Sequence, residues 1–456
     1  MTANRRLDQE LSASPRLTRR RGQRLGVLAL GLVVIMAWLP SHALARVSFI
    51  WHPAELIDPH ASARVGGLSG ISCQAAPLCV AVGASDIITS TDSTARAPTW
   101  NVAHPRVSAS GPTDVACPSL RLGVAIDPAG YIWTSTHPTG GVAAWSAVRI
   151  DATGLRHISC PSTSLCIAVG QAGAVTVSKN PTGGSGAWTS YALTTSVPAD
   201  CGKEGPGEDC RAMLTGVSCI PVSFCVIVDS GQNVGDVITA SSPTAGSNAW
   251  AVHPVTSLGE TALVGVSCVT GPSCVAVDVG GNLAVSGDPV GNASHWRVVH
   301  LRYPESNPAA VPPQVSCGGP ALCAVSAGQA VLTSGNPLGR ALAWTPTQLD
   351  TGNLTAISCN RDASCLAVDN DGHAVAGVNA QPIRAWLAKE LQPSSRARRV
   401  ASLLAHDGYR FSVRLPLAGT LSLTWRANGT VIAAATASGS GASHMSIALR
   451  LTAAGR

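Results

Sequence analysis

From residue 68 to residue 384 the chain is divided into short apolar stretches, each ended by turn-forming residues. One well-defined set runs Leu155–Cys160, Leu165–Gly170, Ala174–Ser178 and Ala187–Leu193. Between its members lie Gln171-Ala172-Gly173 and Asn180-Pro181-Thr182-Gly183-Gly184, where glycine supplies the positive φ of tight turns. The stretches are rich in Val and Ala, and no helical period runs through them. Runs of this length between turn signals are expected to be strands.

The same set recurs. Gly70-Ile71-Ser72-Cys73 returns as Asp114-Val115-Ala116-Cys117, His157-Ile158-Ser159-Cys160 and Gly216-Val217-Ser218-Cys219. It returns again as Gly265-Val266-Ser267-Cys268, Gln314-Val315-Ser316-Cys317 and Ala356-Ile357-Ser358-Cys359. Successive cysteines are 44, 43, 59, 49, 49 and 42 residues apart. A period in the forties marks a β-propeller built from four-stranded blades. The expected fold class is therefore all-β, a seven-bladed propeller over residues 46–384. The fourth strand opens on Trp100, Trp145, Trp188, Trp250, Trp296 and Trp344, which leaves one blade without its tryptophan. Phe49-Ile50-Trp51 supplies the missing strand, so residues 48–57 are expected to close the seventh blade and remove its open edge. Trp386 competes for this role, but 384–391 has a helical pattern.

Of the 15 cysteines, twelve form Cys-x5-Cys pairs: Cys73/Cys79, Cys160/Cys166, Cys219/Cys225, Cys268/Cys274, Cys317/Cys323 and Cys359/Cys365. Each pair spans the turn between a blade's first two strands and is expected to be a disulfide worth about 2–2.5 kcal/mol of loop-closure entropy. Pairs spread around a ring do not converge on one ion, so we expect no metal and no cofactor. Gly123 stands where the second blade's second cysteine belongs, which leaves Cys117 unpaired. Cys201 and Cys210, in the insertion 197–213, are expected to staple that loop.

The N-terminus adds a destination. Seven arginines precede position 25, an apolar run follows over 25–39, and Ala43-Leu44-Ala45 ends it. This is the form of a secretory signal peptide, residues 1–45, cleaved after Ala45; the rival is an uncleaved anchor, for which the run is short. Once cleaved, the chain has no membrane span and is secreted or held at the cell surface. Residues 46–384 then hold 15 basic and 21 acidic residues, and 385–456 nine basic and two acidic. An acidic body argues against nucleic acid as a partner.

Between third and fourth strands the chain reads Thr89-Ser90-Thr91-Asp92 before Trp100, Ser178-Lys179-Asn180-Pro181-Thr182-Gly183 before Trp188, Ser286-Gly287-Asp288-Pro289-Val290-Gly291 before Trp296, and Ser334-Gly335-Asn336-Pro337-Leu338-Gly339 before Trp344. This resembles a degenerate Asp-box, the turn of sialidase-type (BNR) propellers and of those similar to photosystem II assembly factors. Together with the Ser-Cys-x5-Cys units it resembles a family of exported actinobacterial propellers. The resemblance implies a structural turn remote from any active face. Residues 385–456 resemble a small C-terminal α+β module of such proteins, through Gly408-Tyr409-Arg410-Phe411, Leu417-Ala418-Gly419-Thr420-Leu421 and Leu449-Arg450-Leu451-Thr452. Its pattern gives a helix near 387–405 and then three or four strands. Relatives of that kind continue past a final Gly-Arg, so the resemblance implies a truncated module.

A sialidase-type hydrolase needs an arginine cluster, a Tyr–Glu pair and an acid. The propeller's glutamates beyond its first strand are Glu204, Glu208, Glu260 and Glu305, and its tyrosines Tyr131, Tyr191 and Tyr303, with no arginine motif of that kind. No catalytic residue is assigned. The ligand-binding candidates are Asp127, Asp229, Asp278 and Asp369, at equivalent second-strand ends, although aspartate is also an ordinary turn residue there. Asp369-Asn370-Asp371-Gly372 has the start of a calcium loop without its later ligands. The six serines of the quartets form a ring, read as small residues packed where strands converge. The expected function is a monomeric binding propeller without catalysis, its partner a carbohydrate, a cell-wall polymer or a protein; the alternative is a sialidase-like glycoside hydrolase.

Overall fold

The structure, a computed structural model, describes residues 49–379 and 404–456 apart from several loop stretches, of which 194–212 is the longest. The expected signal peptide, the Cys201/Cys210 staple and nearly all of the helix expected near 387–405 lie outside the described residues.

Seven antiparallel sheets follow one another along the chain. Six are continuous in sequence, over 68–103, 114–149, 155–192, 214–254, 263–299 and 314–348. Each is a simple up-and-down meander, as short strands and tight turns dictate. In the third blade the strands are Leu155–Ser162, Leu165–Gly170, Ala174–Ser178 and Trp188–Ala192, within two residues of the stretches visible in the sequence. The seventh sheet joins the two ends of the propeller. Phe49–Trp51 pairs antiparallel with His373–Asn379, in the register Phe49 to Asn379 and Trp51 to Gly377. Glu55–Leu56 adds a second short contact to that strand. Gly377 is required here, because a Cβ on it would stand 2.6 Å from the Trp51 ring.

The seven blades form one all-β propeller. Its core is a set of seven apolar clusters, one at each seam between neighbouring blades. In each seam the later blade contributes its fourth-strand tryptophan. Trp145 packs between blades one and two, Trp188 between two and three, and Trp344 between five and six. Trp51 fills the seam between blades six and seven, and Trp100 the seam between seven and one. With only 3 Phe and 4 Tyr in the chain, tryptophan supplies the volume that seams between Val- and Ala-rich sheets need.

Six disulfides, Cys73–Cys79, Cys160–Cys166, Cys219–Cys225, Cys268–Cys274, Cys317–Cys323 and Cys359–Cys365, staple six of the blades. Their Cα atoms are 4.0–4.2 Å apart. In blades four to seven the two cysteines are direct cross-strand partners. Six such bonds in one chain belong to an oxidising, extracytoplasmic compartment. Among the described residues no helix is long and apolar enough to cross a membrane. Blade two has no disulfide, and Cys117 is free and fully buried. Trp145 explains the gap: its ring would lie 2.6 Å from any Cβ at Gly123.

A second compact unit holds the C-terminal residues. Gly408–Arg414, His444–Leu451, Thr430–Ser440 and Ala418–Ala427 lie side by side in that order as one four-stranded antiparallel sheet. Ala433, Leu449 and Leu451 form its buried patch.

Candidate functional site: the axial shaft

The first strand of every blade lines a polar cavity of about 130 Å³ on the propeller axis. A first strand pairs only with the second, so every other backbone N–H points away from the ladder and needs another acceptor. Serine supplies it. Cys117 donates its backbone N–H to Ser72 Oγ, Cys219 to Ser159, Cys268 to Ser218, Cys317 to Ser267, Cys359 to Ser316 and Cys73 to Ser358, all at 2.9–3.0 Å. Each bond reaches from one blade to the next. The serine ring thus does more than pack: it latches six of the seven seams. In three seams a hydroxyl three positions earlier adds a second latch, Ser69 to Thr113 O at 2.9 Å and Thr215 and Thr355 to Leu263 O and Leu68 O at 2.6 Å.

The seam between blades two and three lacks a serine, because Ala116 stands in its place. Asp114 serves there instead. Its Oδ2 accepts the Ile158 N–H at 2.9 Å, its Oδ1 accepts its neighbour Val115 N–H at 2.8 Å, and His157 Nδ1 stands 3.5 Å from Oδ2. Both side chains remain partly open to solvent, Asp114 at 19% and His157 at 31%.

The second-strand aspartates lie on the same face as this mouth, since second strands end where first strands begin. Asp127, Asp229, Asp278 and Asp369 are all fully buried. Their carboxylates close the turn to the third strand: Oδ1 accepts the N–H of Tyr131, Asp236, Asn282 and His373 respectively, at 2.7–2.8 Å. Asp369 also accepts from Asp371 N at 3.0 Å and Gly352 N at 2.8 Å, and His373 Nδ1 lies 3.1 Å from it. The apparent calcium loop 369–372 is therefore a hydrogen-bonded turn, with Gly372 at φ 87°. The structure does not bring the four aspartates together; each serves its own blade. Among the described residues no three His, Cys, Asp or Glu side chains are arranged to hold a metal ion. Glu204, Glu208, Glu260 and Glu305 lie outside the described residues, as do the centres of the long inter-blade loops.

On the opposite face the Asp-box-like turns have a local role. Ser90, Ser135, Ser178, Ser286 and Ser334 each accept the N–H two residues on, at 3.1 Å in all five. In the first blade Asp92 Oδ1 also accepts from Thr99 N at 2.8 Å, which ties the turn to the fourth strand.

No protein-family model matches the chain, and no curated protein matches it in sequence. Solved structures do match in shape. YCF48 from Cyanidioschyzon merolae aligns over 73% of this chain and 99% of its own, with 14% identity and a TM-score of 0.50. A YCF48 bound to a D1 peptide aligns over 73% and 95%, at 15% identity and TM-score 0.48. The β-propeller domain of Myceliophthora thermophila Cps50 (Swd1) aligns over 69% and 97%, at 10% identity and TM-score 0.49. At 14% identity the likeness to the Cyanidioschyzon merolae protein is one of fold alone, that of the propeller described above.

Proposed function

We propose that this chain is an exported binding propeller, secreted or held at the cell surface, that recognises a partner without catalysis. The observation that carries the reading is the size of the shaft. Pockets that enclose a small-molecule ligand run from about 300 to 1,000 Å³, whereas the axial cavity is about 130 Å³. It admits the end of a partner rather than a whole substrate. The fully buried aspartates on the same face are engaged by turn amides, which supports their reading as parts of the scaffold. A propeller presents loops of free length on a rigid ring, and loops on rigid scaffolds are where recognition is built. The basic charge pattern and apolar run at the N-terminus support export, as does the disulfide count.

The test is a binding screen of the oxidised protein against glycans, cell-wall polymers and peptides, with product analysis of every hit. Binding with the ligand recovered intact is the expected result. Release of free sugar would overturn it and turn attention to the glutamates of the inter-blade loops.

A further inference from the structure

The mouth of the shaft breaks the sevenfold repeat. One position per blade, two before the serine, stands at this end: Gly70, Asp114, His157, Gly216, Gly265, Gln314 and Ala356. Four of the seven are Gly or Ala, as strands converging on an axis require. The other three are polar. Asp114 and His157 are neighbours on blades two and three. Gln314 stands three blades further round, beside Gly265, where a Cβ would lie 3.5 Å from its Oε1.

All three offer acceptors to the opening. A carboxylate has about four acceptor positions; the blade clamp takes one on each Asp114 oxygen, and the side chain stays accessible. With the imidazole proton on Nδ1, the nitrogen nearer Asp114, His157 Nε2 is an acceptor as well. Behind the mouth, one strand further out, sit the carboxyl groups of Asp127, Asp229, Asp278 and Asp369, in a propeller with 21 acidic and 15 basic residues over 46–384. Such a field draws cations towards the face. A cavity of about 130 Å³ is well below the roughly 300 Å³ at which pockets enclose a small-molecule ligand, and it admits the tip of one long side chain. A site that small gives little affinity alone, so its occupant must be carried by a larger body resting on the surrounding loops.

We infer that the mouth of the shaft receives one cationic side chain, arginine or lysine, presented end-on by a protein partner, an assignment that rests on the binding reading above. Asp114 pairs with the charge, while His157 and Gln314 accept its remaining N–H groups. The glycines of blades four and five, Gly216 and Gly265, line the cavity and add no side chain to it.

The test uses the full oxidised chain and an acetyl-GGRGG-amide peptide, with the His157 ring signals followed by NMR. Versions with lysine or with citrulline, the neutral isostere of arginine, serve as comparisons. The arginine and lysine peptides are expected to shift the His157 signals and to bind at least tenfold more tightly than citrulline. Asp114→Asn is expected to lose at least tenfold. Because that variant also weakens the blade clamp, Gly265→Leu provides a second check. A Cβ at Gly265 meets only ordinary contacts, the nearest at 3.4 Å, and stands 3.5 Å from Gln314 Oε1, so the leucine is expected to crowd Gln314; a loss of at least tenfold is expected, with thermal melting as the control for the fold. Equal binding of citrulline, unmoved His157 signals at millimolar peptide, or full binding to Gly265→Leu would each overturn the assignment. Agmatine binding as tightly as the peptide would overturn the protein source. A glycan hit with no response to these peptides would end this assignment and leave the binding reading standing; sugar release would end the binding reading itself.

Discussion

The hydroxyl of Ser358 accepts the backbone N–H of Cys73 at 2.9 Å, joining residues 285 positions apart. This bond latches the last blade to the first, beside the seam that Trp100 fills. In blade one and blades four to seven the serine and the cysteine act together: the cysteine's side chain staples its own blade while its amide reaches back to the preceding one.

Removing that acceptor leaves a buried donor unpaired. Ser358 is 4% exposed, so Ser358→Ala is expected to destabilise the propeller by about 1–3 kcal/mol. Ala116→Ser, which restores the acceptor missing between blades two and three, is expected to gain about 0.5–1.5 kcal/mol. Urea denaturation measures both. If Ser358→Ala keeps the wild-type midpoint, the latch contributes nothing net.

In blade two the glycine at the second cysteine's place lies against the Trp145 ring. Gly123→Ala would set a methyl group 2.6 Å from Trp145 Cη2, and overpacking of this kind costs about 1–3 kcal/mol. Gly123→Cys is expected to be equally destabilised and to form no bond with Cys117. Mass spectrometry of non-reduced peptides reports the bond, and thermal melting reports the strain. A bonded, undiminished Gly123→Cys protein would show that the Trp145 ring moves aside freely.

Cys117 is expected to be chemically inert in the folded protein. Burial pushes its thiol up to about 12, against a smaller opposing effect of the Ser72 hydroxyl. The thiolate is the reactive form, so at pH 8 only about one part in ten thousand is available. Iodoacetamide is expected to leave Cys117 unmodified in the folded protein and to label it in urea, as peptide mass mapping would show. Labelling of the native chain within minutes would mean that blade two opens.

The fold was legible because each blade solves the same problem with the same residues. Seven quartets, six Cys-x5-Cys pairs and a tryptophan before each fourth strand give the blade, and Trp51 gives the closure. The seam latches were not legible, since Ser159 and its partner Cys219 are 60 residues apart and nothing local joins them. Serine's size was visible; its acceptor role needed the neighbouring strand. The mouth residues Asp114, His157 and Gln314 stood in plain view at the head of their quartets. Their only signal was departure from Gly or Ala at a position the axis reserves for small side chains. The aspartates at the second-strand ends were visible as equivalent positions on one face; that each carboxylate closes its own turn needed the structure.

Closure of the ring is expected to respond to pH through Asp58. Residues following the closing strand lie on the seventh blade's turn, where Ile57 and Asp58 donate their N–H groups to Gly372 O at 2.9 and 3.1 Å. The Asp58 side chain is 2% exposed and turns towards Asp86 of the first blade, which is itself hydrogen-bonded to His104 Nδ1. Burial, joined by the hydrogen bond and charge of Asp86, raises the Asp58 carboxyl above its ordinary value, outweighing the pull of the His60 amide and imidazole. A raised folded-state value means that the native protein holds this proton more tightly than the unfolded chain, whose aspartates titrate near 3.9. The contribution is complete below that value and is lost as pH rises through the folded one. Asp58→Asn carries no such proton, so its melting temperature is expected to gain on the wild type between pH 4 and pH 7. A difference that is constant across that range, or that grows towards acid, would show that Asp58 is ionised without penalty at the joint.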